Sequence, residues 1–188
     1  MAATWYENEL KNKNFLAPIG FKFVLEKAPK VAFLCQSASI PDITVGDIDI
    51  PTRGLVAYPI DGNIRYGEFN LSFLVDENLE NYLQIHNWMR ALGTPQDLNE
   101  RGVWIVDKRT TPDAANYKSL VSDATLQVLN NQNNVSFEVV FEDLFPTNLS
   151  TLSFDVTQTD TQFFVAEVTF KYTLYEVRGR NSGTRRKA

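Results

Sequence analysis

One cysteine and one histidine are all that this sequence of 188 residues offers toward thiolate or imidazole chemistry. Cys35 alone cannot form an intrachain disulfide, and no cluster of thiolates can be built around it. At the end of an apolar run, Val31 to Cys35, it reads as a small packing residue on a strand. His86 has no second imidazole or thiolate with which to share a zinc or haem site. It falls on the apolar face of an expected helix, where a lone histidine is a packing residue. A Gly-rich phosphate cradle, a nucleophile elbow and a kinase-type signature set are all missing. Acids do occur in pairs, Glu142-Asp143 and Asp47 with Asp49, but in turn-like contexts without the cationic or hydroxyl partner that acid–base work requires. The expectation is a non-enzyme with no catalytic residue, no metal and no cofactor. No stretch approaches the ~20 apolar residues of a membrane-spanning helix. Met1 to Leu10 is polar and acidic and lacks the apolar core of a signal peptide. A soluble chain without membrane insertion is expected.

What is present is an ordinary globular balance rich in large rings. Apolar residues make up 44%, charged residues 22% and aromatics 12%, with 13 Phe among them, enough for one domain with a sheet-based core. The clearest local signal lies between Phe69 and Pro95. Phe69, Leu71, Phe73 and Val75 alternate with Asn70, Ser72 and Leu74, the period of a half-buried strand. The period then changes to steps of three and four through Leu79, Tyr82, Leu83, His86, Met89 and Leu92, one face of a helix over about 76–92. Asp76 or Asn78 can cap its start, with Glu77 and Glu80 near the positive end of its dipole. Arg90 sits in the last turn, Gly93 suits a left-handed cap, and Pro95 stops the helix.

The rest reads as strands and turns. Residues 1–17 form a polar arm with scattered aromatics. A strand Phe21 to Glu26 and a return strand Val31 to Cys35 are expected to form a hairpin around Ala28-Pro29-Lys30. Ser39 to Tyr66 carries Pro41, Pro51 and Pro59 with Gly46, Gly54 and Gly62 between short β-branched runs. Proline cannot sit mid-sheet, so this segment is expected to leave the sheet as an extended excursion. It is too long for an idle loop and suits contact with a neighbouring subunit through Ile43, Val45, Ile48, Ile50, Leu55, Tyr58 and Ile60. Residues 94–118 read as a loop insertion with a short apolar run, Val103 to Val106. Ala124 to Val128 and Val135 to Phe141 alternate on either side of an Asn-rich turn, a hairpin with a polar tip. A loop over Glu142 to Asn148, a short strand around Leu152, Phe154 and Val156, and a long strand Gln162 to Val177 follow. With seven to nine strands and one main helix, the fold class is mainly β, an antiparallel sandwich or barrel with a flanking helix.

Charge is divided unevenly. Residues 1–177 carry 13 Lys and Arg against 23 Asp and Glu, a net of −10, whereas the last eleven hold Arg178, Arg180, Arg185, Arg186 and Lys187 and no acid. The acidic body should repel nucleic acid, and the basic end, 178–188, reads as a solvated tail.

Taken in order, these pieces resemble the tail tube proteins of contractile-tailed bacteriophages, which share their fold with the tube proteins of type VI secretion. The resemblance runs through Asn14-Phe-Leu-Ala-Pro18 and Phe21-Lys-Phe-Val-Leu25, then Phe33-Leu-Cys-Gln-Ser-Ala-Ser-Ile-Pro41 and Tyr58-Pro-Ile-Asp-Gly-Asn63. It continues in Phe69-Asn-Leu-Ser-Phe73, in Val75-Asp-Glu-Asn78 leading to the helix that bears Trp88, and in Leu144-Phe-Pro-Thr-Asn148. Together these cover roughly residues 14–177; the 94–118 insertion and the basic tail depart from the pattern. The resemblance implies a β-barrel protomer over 18–177 that forms homo-hexameric rings, stacked into a tube in the virion tail after assembly in the host cytoplasm. It implies sheath and baseplate proteins as partners and double-stranded DNA as a transient passenger. Alternation along the strands makes Glu138 and Glu167 the acids expected to face such a channel. A single-ring tube initiator or tail completion protein shares the fold and is the alternative role. A ligand-binding β-sandwich, with Trp104 and Tyr117 as exposed aromatics, is the more distant one.

Overall fold

Two runs of alternating apolar residues near the C-terminus pair along their whole length and bend together. In the computed structural model, which describes residues 15–16, 20–52, 55–107, 119–157 and 163–179 (by backbone alone at 47–52, 55–61 and 107), these are β7 (Val135–Leu149) and the broken strand β8 (Val165–Lys171) and β9 (Leu174–Gly179). The antiparallel register runs from Phe137 opposite Gly179 to Glu142 opposite Leu174, then from Phe145 opposite Lys171 to Leu149 opposite Val168. The bend falls where Asp143 takes a left-handed φ of 56° and Tyr172-Thr173 interrupt the partner strand. Aspartate tolerates that backbone better than most residues. The corner is held by the Thr173 N–H donating to the Glu142 carbonyl at 3.0 Å.

Each half of the bent hairpin extends into its own sheet. The first half adds β6 (Ser122–Leu129) and then β1 (Phe21–Leu25); the second adds β5 (Phe69–Leu74) beside β8 and then β2 (Cys35–Ala38). The buried sides of the two sheets meet at Phe69, whose ring lies 5.4 Å from Phe23, 4.6 Å from Phe141 and 6.1 Å from Phe170. Two sheets joined by strands that turn a corner through a bulge form an orthogonally packed barrel. Much of the phenylalanine noted in the composition lies in this core.

Among the described residues there are three helices: α1 (Pro29–Phe33), α2 (Glu80–Gly93) and α3 (Asn99–Asp107). β3 (Ile43–Thr52) and β4 (Leu55–Tyr66) pair only with each other. The mainly antiparallel β class, the strand at Phe69 and the Asn-turned hairpin agree with the sequence reading. At that turn Asn133 has φ 59°, and the Asn130 Oδ1 accepts from the N–H groups of Gln132 and Asn134 at 2.9 and 3.0 Å.

Several expectations are corrected. Val31 to Cys35 is not a return strand. Pro29 sits in the first turn of α1, where its missing N–H costs nothing, and Val31 is buried from that helix. β1 and β2 therefore form no hairpin: β1 pairs with β6 and β2 with β5. Glu142 to Asn148 is strand, because a bulge absorbs the turn-like residues without ending the pairing. Leu152 to Val156 is not strand, and Phe154 and Val156 are exposed. The expected long final strand divides at Tyr172-Thr173. The 94–118 insertion contains α3, so the helix α2 is not alone.

α2 also presents a different face. Asn81, Ile85, Trp88 and Ala91 are buried, Tyr82, Met89 and Leu92 are half-buried, and Leu83 and His86 are exposed. The start is set from inside the protein. Buried Asn81 donates to the Leu74 carbonyl at 2.7 Å and accepts from the Asp76 and Tyr82 N–H groups, while Leu79 takes a left-handed φ of 57°. Neither Asp76 nor Asn78 caps the helix by its side chain, and the left-handed cap at the other end is Thr94. A buried side-chain amide outweighs exposed capping candidates because its hydrogen bonds form away from water.

Candidate assembly surface

The β3–β4 hairpin leaves the second sheet at one point, and that root is tightly held. Ile43 lies opposite Tyr66, Thr44 opposite Arg65 and Val45 opposite Ile64. Side chains two apart share a face, so Ile43, Val45, Ile64 and Tyr66 form one apolar face and Thr44 and Arg65 the other. The chain closes at the root through the Gly67 N–H donating to the Asp42 carbonyl at 2.9 Å. A Cβ at Gly67 would overlap the Asp42 carboxylate, so the approach suits glycine.

Three tyrosines fasten this root to the corner of the barrel. The Tyr172 hydroxyl donates to the Gly67 carbonyl at 2.9 Å, and the Tyr175 hydroxyl donates to the Pro41 carbonyl at 3.1 Å, one bond to each leg. Tyr66 joins them, its ring 6.2 Å from Tyr172 in a tilted contact and 5.5 Å from Tyr175 in an edge-on one. Phe141 connects the cluster to the core, 5.1 Å from Tyr172. Burial pushes the Tyr172 and Tyr175 hydroxyls above the ordinary phenol value, with neighbouring tyrosines and Asp42 adding to it. Alternation along the final strand places Tyr172 on the inner face; nothing else in the sequence signals this anchor.

Of the residues expected at a subunit contact, Ile43 and Val45 are exposed near the root at 53% and 56%. The side chains of Ile48, Ile50, Leu55, Tyr58 and Ile60 lie outside the described residues. Their backbone continues the hairpin, with Ile48 opposite Tyr58. Ile64, absent from that expectation, is exposed beside Val45; its cross-strand register is what reveals it. The structure does not bring the two expected channel acids together. Glu138 lies on the outer face of the first sheet, in a row with Gln127, which donates to it at 2.9 Å, and with Arg178. Glu167 lies on the outer face of the second sheet, opposite Ser72. Because the inner faces meet at Phe69, the outer faces point away from each other.

A separate hairpin anchored to a corner barrel is a shape that can be compared with known proteins. The sequence profile described as "Phage tail tube protein" matches residues 6–178. The chain belongs to the phage tail tube protein family. No curated protein matches it in sequence. Among solved structures it is similar to the anti-feeding prophage cap, described as a tube-terminating cap, at a TM-score of 0.55 and 18% identity, covering 95% of this chain and 99% of the other. It is also similar to a chain of the sheath–tube complex of the PVC extracellular contractile injection system in its extended state, at 0.54 and 17%, covering 89% and 93%. A chain of the sheath/tube terminator of that system matches at 0.55 and 16%, covering 89% and 100%.

In this tail tube fold the helices form a second surface. Trp88 is buried, stacks on Trp104 at 6.0 Å and 13°, touches Phe170 at 6.2 Å, and donates from its ring N–H to the Leu120 carbonyl at 2.7 Å. Trp104 is thereby a core residue and not an exposed ligand-binding ring; Tyr117 lies outside the described residues. Between α2 and α3 runs a groove of about 720 Å³ whose walls include Leu83, Asn87 and Val103. It is crossed by an ion pair between Arg90 and Glu100. Reactive groups are quiet. Burial pushes the Cys35 thiol up to about 11, which leaves little thiolate at neutral pH. Lys27 is buried with its ammonium bonded to the Ser119 carbonyl, and burial pushes its pKa down. Among the described residues no three of His, Cys, Asp or Glu are placed to hold a metal ion. The family is a structural one, made for assembly and not for turnover.

Proposed function

We propose that this chain is the repeating subunit of a phage tail tube, six copies to a ring and rings stacked around a channel for double-stranded DNA. The observation that supports it is the β3–β4 hairpin, which pairs with neither sheet of its own barrel and leaves Ile43, Val45 and Ile64 uncovered at its root. An isolated two-stranded hairpin is marginal in water, so a neighbouring subunit is its natural cover. Rings need a heterologous contact that closes, and stacking needs one that does not. In this reading the barrel spans 18–177, residues 1–17 are an arm and 178–188 a basic tail. The outer surface meets sheath and baseplate proteins, and the particle assembles in the host cytoplasm to become part of the virion tail.

For the channel wall we favour the outer face of the second sheet. It presents Asn70, Ser72, Glu167 and Thr169, and its Lys171 is paired with Glu68 at 3.4 Å. The first sheet's outer face sets Lys22 and Arg178 in the row of Glu138, and although Arg178 is paired with Glu176 at 3.0 Å, the Lys22 cation there would hold phosphates. A wall of hydroxyls, amides and carboxylate lets a duplex slide.

Negative-stain electron microscopy of the purified protein tests the reading, with a deletion of Gly46 to Ile60 as its partner. The wild type is expected to form hollow tubes or rings. The deletion variant is expected to keep its circular dichroism and lose stacking, because the hairpin contributes no strand to either sheet. A wild type that stays monomeric at tens of micromolar in several salts would refute it. The second reading, a single-ring cap or terminator, draws on the two structural neighbours so described; it is expected to give isolated rings at every concentration.

A further inference from the structure

Exposed apolar side chains are not scattered over this molecule. Among the described residues, ten of the eighteen large ones lie at the two ends of a single strand, β5. At its N-terminal end, reached through Tyr66 and Gly67, are Ile40 and the hairpin residues Ile43, Val45 and Ile64. At its C-terminal end the Leu74 N–H donates to the Leu34 carbonyl and the Val75 N–H to the Phe164 carbonyl, both at 2.9 Å, which sets the flanking segments. There Phe33 is 87% exposed, Phe154 72% and Phe163 80%, with Val156, Phe164 and Val165 beside them. Phe154 and Phe164 pack ring to ring at 4.8 Å, so the rim is formed in the free subunit. Between Phe33 and the start of α2 lies a hollow of about 570 Å³, with Leu34, Asp76 and Asn81 on its walls.

We infer that this aromatic rim is the seat for the hairpin root of a second copy of the same chain. The inference rests on the tube reading and adds to it where the hairpin lands. Two unlike apolar patches at opposite ends of a six-residue strand, about 17 Å apart at ~3.4 Å per residue, form a head-to-tail pair that repeats without closing. At 150–250 Å² for each aromatic side chain, Phe33, Phe154 and Phe163 offer on the order of 400 Å². That is about half of the ~800 Å² per partner in a standard interface, and a fitting share for its dry centre. Seating Ile43 and Val45 on the rings turns Thr44 and Arg65, on the opposite face of the hairpin, outward to water, so no charged side chain of the root is buried in the contact.

The test uses cysteine pairs in full-length protein with Cys35→Ser, which removes the native thiol. Val45→Cys with Phe163→Cys in one chain is expected to give a ladder of disulfide-linked multimers on mild oxidation, and neither single cysteine should exceed a dimer. Phe163→Ser, at an exposed site that the fold does not need, is expected to keep its circular dichroism and to raise the concentration required for assembly about tenfold or more. Tubes that form without the ladder, and a Phe163→Ser variant that assembles like wild type, overturn the seat and leave the tube reading standing. Wild-type protein that forms neither rings nor tubes overturns both.

Discussion

Replacing Trp88 with alanine should remove a large part of the stability of this protein, and the size of the loss follows from what the ring touches. The side chain is fully buried, stacks on Trp104, borders Phe170 and supplies the donor for the Leu120 carbonyl. Truncating a buried tryptophan costs about 3–5 kcal/mol through lost transfer energy and the cavity left behind. The orphaned carbonyl adds about 1–3 kcal/mol if no water reaches it. A total near 5 kcal/mol is a third or more of the ~5–15 kcal/mol that holds a typical domain together. Trp88→Phe keeps most of the apolar volume and loses the hydrogen bond, so about 1–3 kcal/mol is expected. Leu83→Ala, on the outward side of the same helix, should change stability by no more than about 0.5 kcal/mol. Urea unfolding followed by circular dichroism at 222 nm reads all three variants without depending on tryptophan fluorescence. Equal losses for Trp88→Ala and Leu83→Ala would refute the inward orientation of the Trp88 face of α2, and with it the outward orientation of Leu83 and His86.

His86→Gln should leave both stability and assembly at wild-type values by urea unfolding and electron microscopy, since the ring is exposed and no hydrogen bond or ion pair among the described residues depends on it. At the barrel corner, Asp143→Gly should be neutral or slightly stabilising, whereas Asp143→Val should cost about 1–2 kcal/mol by the same denaturation assay, because a β-branched residue resists the left-handed backbone. Tyr172 and Tyr175 are held above the ordinary phenol value, so the unfolded chain releases their protons first and stability falls as pH rises above about 10. Tyr172→Phe should flatten that alkaline slope in thermal melts between pH 9.5 and 11.5; an unchanged slope would remove the anchor's part in it. Glu167→Lys in virions should slow DNA release at low salt and recover as salt rises, while Glu138→Lys should release at the wild-type rate.

How far the fold can be read from residues depends on whether a signal is local. The strand at Phe69, the Asn-turned hairpin and the departure of the proline-marked segment from the sheet rest on periodicity and turn chemistry within a few residues, and the structure contains them. The errors share another origin. Apolar spacing alone rotates α2 away from its true orientation because Asn81 looks polar, yet its amide is buried by bonds to Leu74, Asp76 and Tyr82. The break at Tyr172-Thr173 and the continuity through Glu142 to Leu149 depend on each other, since a bulge in one strand is matched by the partner, and a single strand's alternation does not record its partner. Phe33 and Phe154 resemble strand residues because apolar alternation carries no information about whether a face is covered. The tyrosine anchor is invisible for the same reason: its acceptors are backbone carbonyls 105 and 134 positions away.

The pairing of distant segments sets the order in which this protein can come into being. β1 finds its partner β6, and β5 finds β8, only after about a hundred further residues have been made. Topology dominated by such remote pairing folds slowly, on a timescale of milliseconds to seconds, and no barrel can close before the C-terminal strands leave the ribosome. The β3–β4 hairpin pairs its own neighbouring strands, contacts that can zip within microseconds. The two hairpin strands can therefore meet before the barrel exists, but their root is fastened only when Tyr172 and Tyr175 arrive, so the hairpin gains its fixed direction from the last strands made.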